Sequence, residues 1–138
     1  MYYLIKAKYH SLNDRGKNVT KKEEYLVNNC IYHAEAEQKG YEYSSEYQLD
    51  DFDVTAVKRS NIREFVNEDD GYDNTIYQAT IVDIFLTDDG VEKETKYYVG
   101  IYAQDINDAT KKVKEYMQQG IQDMRLIKVE ETKIQQVL

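Results

Sequence analysis

The chain has 138 residues, with 18 Lys and Arg against 26 Asp and Glu, no proline and no tryptophan. This length suits one compact domain, and 41% hydrophobic with 32% charged residues describes a core beneath a heavily solvated surface. The net charge of −8 argues against broad wrapping of nucleic acid or docking on an anionic membrane. No apolar run approaches the roughly 20 residues that span a bilayer, and no signal-peptide core follows Met1. A single cysteine excludes an internal disulfide and fits a reducing cytoplasm, the compartment expected here.

Along the chain, Tyr3, Ile5, Ala7 and Tyr9 alternate with Leu4, Lys6, Lys8 and His10, the period-2 signature of a half-buried strand. Asn13-Asp14-Arg15-Gly16 supplies a hairpin turn, because glycine accepts positive φ without steric penalty. Residues 17–24 are almost entirely polar, which predicts a longer and looser first hairpin before the apolar Tyr25-Leu26-Val27. A helix is predicted over 33–47 from Ala34, Ala36, Tyr43 and Tyr47. Gly40 in its middle weakens it by roughly 1 kcal/mol against alanine and predicts a less regular or kinked helix. A third strand follows at Phe52-Asp53-Val54-Thr55-Ala56-Val57. Residues 63–75 hold Glu64, Glu68, Asp69, Asp70, Asp73 and Gly71 and read as an acidic linker.

The second half repeats this order. Thr87-Asp88-Asp89-Gly90 forms a second turn, followed by Tyr97-Tyr98-Val99. Asp105 is placed to cap a helix in which Ile106, Ala109, Val113 and Tyr116 or Met117 recur at helical spacing. Gly120 is placed to close it in the left-handed conformation. At an offset of 72 to 74 residues, Tyr3 falls on Tyr77, Gly16 on Gly90, Phe52-to-Val57 on Met124-to-Val129, and Ile62 on Ile134. The expected fold is α+β: a tandem pseudo-twofold repeat of two ββαβ units, 1–62 and 76–138. Its sheets are antiparallel, each third strand lies beside the first strand, and one helix packs on each unit. One such unit is too small to bury an adequate core alone, so the copies are expected to share one within a single compact domain, 1–138.

Groups for catalysis are scarce. Cys30-x-x-His33 has a metal-site spacing, but a zinc site needs three or four protein ligands, and His10 is the one other histidine. Cys30 is therefore read as a small buried side chain. The carboxylates are too evenly spread to single out an acid–base pair. Asp88-Asp89-Gly90 and Asp69-Asp70-Gly71 lack the periodic oxygen ligands of a calcium loop. No glycine-rich phosphate loop and no nucleophile elbow is present. No catalytic residue, metal or cofactor is expected, and the chain reads as a non-enzyme.

Two features stand out. There are 14 tyrosines, and residues 1–22 carry Lys6, Lys8, Arg15, Lys17, Lys21 and Lys22 against one acid, Asp14. Single-stranded nucleic acid is held by basic side chains on phosphates and aromatic faces on bases. The candidate binding residues are Lys6, Lys8, Lys17, Lys21 and Lys22, extended by Lys58 and Arg59, with Tyr3, Tyr9 and Tyr25 to stack bases. The competing reading makes the tyrosines core and rim residues of a tyrosine-rich sheet and the lysines neighbours that neutralise acids.

Tyr3-Leu4-Ile5-Lys6-Ala7-Lys8-Tyr9, Glu24-Tyr25-Leu26-Val27, Ala34-Glu35-Ala36-Glu37 and Phe52-Asp53-Val54-Thr55-Ala56-Val57-Lys58-Arg59 carry a resemblance. With the closing Glu131-Thr132-Lys133-Ile134, the chain resembles a family of small uncharacterised proteins of gut Bacteroidales and their phages, including crAss-like phages. The resemblance implies replication-module proteins, loosely similar to coactivator-type and whirly single-stranded DNA-binding proteins. The function expected is non-enzymatic binding of single-stranded DNA as a phage replication or transcription accessory, in the host cytoplasm. The alternative is a structural or adaptor module that meets another protein or its own copy. No membrane partner is expected.

Overall fold

The computed structural model describes residues 1–71, 74–120 and 123–138. Its elements in the first half are β1 (Tyr3–Leu12), β2 (Asn18–Val27), helix α1 (His33–Glu46), β3 (Asp50–Arg59), β4 (Ile62–Phe65) and a short 3-10 helix (Glu68–Asp70). Then come β5 (Thr75–Leu86), β6 (Glu92–Ala103), helix α2 (Ile106–Gln118), β7 (Asp123–Glu131) and β8 (Ile134–Val137). They form a mixed α/β fold with two helices and two four-stranded sheets, ordered β3-β1-β2-β8 and β4-β6-β5-β7. Two compact units result: residues Met1–Ser60 with Lys133–Leu138, and Asn61–Thr132.

Each unit is built on a long antiparallel hairpin with its third strand beside the first. β1 pairs with β2 from Tyr3↔Val27 to Leu12↔Asn18, and β5 pairs with β6 from Thr75↔Ala103 to Leu86↔Glu92. The loops, 13–17 and 87–91, are equal in length. Residues 17–24 therefore do not lengthen the first hairpin: from Asn18 on they are strand, polar because much of that strand meets water. Gly16 and Gly90 take φ of 74° and 77°, and each amide donates to the carbonyl that opens its turn, Asn13 or Thr87, at 2.9 Å.

The fourth strand of each sheet lies outside the expected pattern. β8 runs parallel to β2, and β4 runs parallel to β6, so the sheets are mixed rather than wholly antiparallel. Arg63, Glu64 and Phe65, assigned to the acidic linker, belong to β4; Asp73 of that linker lies outside the described residues. Four-residue strands carry too little alternation to be read from sequence.

Buried side chains on the helix-covered face form one cluster in each unit. In the first unit Tyr3, Ile5, Ala7, Tyr25, Val27, Cys30 and Ala36 pack together. In the second, Tyr77, Ala79, Ile81, Val99, Ile101, Ala103, Ala109 and Val113 do so. A β-carbon added at Gly40 would lie 2.7 Å from Ile5 Cδ1, so this glycine lets α1 settle close on β1, and the helix runs through it to Glu46. Asp105 caps α2 by accepting from the Asp108 amide at 2.7 Å. Gly120 is not left-handed: α2 ends through Gln119, at φ −80° and ψ −13°, and the Gly120 amide donates to Met117 O at 3.2 Å.

Candidate functional site

Alternation on β1 sends odd-numbered side chains under α1 and even-numbered ones to the opposite face. Lys6 and Lys8 therefore share the face opposite α1, where their cross-strand partners are Glu24 and Lys22. Between Lys6 and Ala7 the pairing with β3 slips, leaving Thr55 as an extra residue whose Oγ1 donates to Lys6 O at 3.2 Å. On the other flank, β8 brings in Gln135, with Lys133 just before it. Lys6, Lys8, Lys22, Lys133, Glu24 and Thr55 thus line a groove of about 710 Å³ in the first unit, together with Gln135, Ala7 and Glu23.

Its charge balance favours an anion. Lys6 Nζ stands 3.8 Å from Glu24 Oε1, an exposed pair of little net strength. The Glu23 carboxylate is taken by two tyrosines: Tyr9 donates to Oε1 at 2.9 Å and Tyr25 donates to Oε2. Lys8, Lys22 and Lys133 make no ion pair among the described residues. Three exposed ammonium groups with no carboxylate partner converge on one surface of an otherwise acidic chain.

The other expected binding residues are dispersed. Lys58 is opposite Leu4 and shares the face opposite α1 but does not line the groove. Lys21 and Arg59 pair with Tyr9 and Tyr3 and so belong to the helix side. Lys17 lies in the turn. Tyr3, Tyr9 and Tyr25 are 3%, 9% and 0% exposed, so no ring face is open to stack a base, and that expectation is corrected. Tyr3 donates to Ile31 O at 2.7 Å and meets the His33 ring edge-on, while Tyr9 stacks on Phe52. Burial, then the Glu23 carboxylate, pushes the Tyr9 hydroxyl up to about 12 and raises Tyr25 further. The signal was present in the alternation itself: one strand cannot turn Lys6, Lys8, Tyr3 and Tyr9 to the same ligand. Lys133 and Gln135 carried no such signal, because β8 pairs with a strand about 110 residues earlier.

Metal-ligating side chains meet elsewhere in this unit. His10, Asp50 and Asp51 bring ligand atoms within 4.8 Å of one another, all three are exposed, and His10 Nδ1 lies 3.1 Å from Asp51 Oδ2. Cys30 takes no part; it is buried and donates weakly to Asn28 O at 3.6 Å.

The family model described as a domain of unknown function, DUF4494, matches residues 1–138. The chain belongs to this family. No curated protein and no solved structure matches it. Membership of DUF4494 attaches no activity to the groove, so its chemistry has to be argued from the residues that line it. No helix among the described residues is long and apolar enough to cross a membrane.

Proposed function

We propose that this DUF4494 chain is a non-catalytic protein that binds the phosphate backbone of single-stranded DNA in the lysine groove. The observation that carries the reading is the convergence of Lys8, Lys22 and Lys133, none ion-paired among the described residues, beside Lys6. Thr55 and Gln135 add neutral side chains able to bond sugar or phosphate oxygens. With the tyrosines buried, recognition rests on charge and is indifferent to base sequence. Acid elsewhere on the chain discourages other docking modes and favours entry at this surface. The resemblance to phage replication-module proteins, with its loose likeness to coactivator and whirly-type binders, supports a replication or transcription accessory in the host cytoplasm. We also read the units as repeats: each sheet runs third strand, first strand, second strand, short parallel strand, and both third strands carry a bulge, at Thr55 and Ile127.

The test is fluorescence anisotropy of a labelled dT 20-mer at low salt. Replacing Lys8 and Lys22 together by Glu is expected to weaken binding at least about tenfold, while Lys21→Glu, on the helix side, changes it less than about threefold. Equal losses in the two variants would place the contact elsewhere. A second reading, an adaptor that meets another protein or a second copy, draws on the tip of the second hairpin. There Phe85, Leu86 and Val91 are 42%, 73% and 55% exposed. Folded protein that binds no DNA at low salt would hand the lead to that reading.

A further inference from the structure

We infer that β8 is a movable wall of the lysine groove, and that its docking on β2 is coupled to occupancy of the groove by single-stranded DNA. The inference rests on the binding reading above and concerns how that site is controlled. Six of the groove's named lining residues belong to the β1–β2 hairpin, and Thr55 to β3; Lys133 and Gln135 arrive only with β8. Their place therefore depends on how firmly β8 is held.

That hold is slight. β8 pairs with β2 at Glu24↔Ile134, Tyr25↔Gln136 and Leu26↔Val137, in parallel and with a slip in register after the first pair. Parallel pairing is weaker per residue than antiparallel, and a short edge strand opens at low free energy. Ile134, Val137 and Leu138 are only half-buried, though Leu138 packs against the first core cluster and its amide donates to Leu26 O at 2.7 Å.

Charge adds a bias to this weak docking. With the groove empty, docking β8 brings the Lys133 ammonium toward Lys6, Lys8 and Lys22, and like charges oppose it. A phosphate chain lying between them reverses the sign. Because coupling is reciprocal, DNA then favours the docked strand by the same factor that docking strengthens DNA binding. The site assembles around its ligand and loosens without it.

Amide hydrogen exchange at low salt, read residue by residue by NMR with and without a saturating dT 20-mer, tests this. Exchange at the Leu138 amide is expected to slow at least about threefold on binding, with the Ile5 and Tyr25 amides unchanged. In Lys133→Ala, which leaves the core untouched, binding is expected to weaken and the added protection at Leu138 to disappear. If the 20-mer binds and Leu138 exchange does not change, the coupling is overturned and the groove reading survives. The same holds if Lys133→Ala retains the full protection. If anisotropy detects no binding, both fall together.

Discussion

Glu23 sits between two tyrosine hydroxyls, and its neighbours have different consequences on the two sides of the sheet. On the helix side its carboxylate holds Tyr9 and Tyr25, which withdraws one acid from the lysine groove it borders. The Tyr9 hydroxyl, ordinarily near 10.0, is pushed up to about 12 by burial and by Glu23. A folded-state value above the unfolded one means stability is complete below pH 10 and declines as pH climbs toward 12. Tyr9→Phe is therefore expected to be less stable than the parent by about 1 kcal/mol at pH 8, from the lost hydrogen bond, with the gap closing by pH 11. Urea unfolding at the two pH values reads this directly; a gap that does not narrow would contradict it. The same variant is expected to bind DNA as the parent does, because Tyr25 still holds Glu23 and the Tyr9 ring is buried. Here the tyrosine content and the period-2 alternation were legible in the sequence, but the covered face was not. Which side of β1 meets α1 is decided by the docking of Ala36 and Gly40 against it.

At the scale of elements, glycines and caps set how closely the pieces approach. A β-carbon at Gly100 on β6 would fall 2.6 Å from two atoms of the Phe65 ring, which is itself stacked on Tyr102 at 5.0 Å. Gly100→Ala would push β4 from its partner strand, and a loss of about 1 to 3 kcal/mol is expected in urea unfolding. A variant as stable as the parent would mean that β4 is not held by that ring. Asp105→Ala removes the α2 cap and is expected to lose about 1 kcal/mol, whereas Asp105→Asn retains most of it. The hairpins and α2 were legible because turn residues, alternation and capping all pointed the same way. β4 and β8 were not, since both are four-residue strands whose partners lie 36 and 110 residues away at Ile62↔Tyr98 and Glu24↔Ile134. Gly40 misled for a physical reason: helix propensity counts it as a weakness, whereas packing against Ile5 requires it.

For the whole molecule, composition and local charge point in opposite directions. A chain of net charge −8 would repel a polyanion unless the approach is confined to a site where basic groups outnumber acids. The basic character of residues 1–22 was visible in the sequence, but its partition was not. Folding keeps Lys6, Lys8 and Lys22 together, adds Lys133 from the far end of the chain, and leaves Lys17 and Lys21 outside. Phosphate neutralisation by these four lysines carries DNA binding, and the salt dependence of affinity reports it. For a labelled dT 20-mer titrated across a series of salt concentrations, a log–log slope of roughly −3 is expected, about −0.7 for each of four phosphates. That slope is expected to fall toward about half in the Lys8→Glu, Lys22→Glu double variant. A slope near zero in the parent protein, or one that the double substitution leaves unchanged, would contradict it.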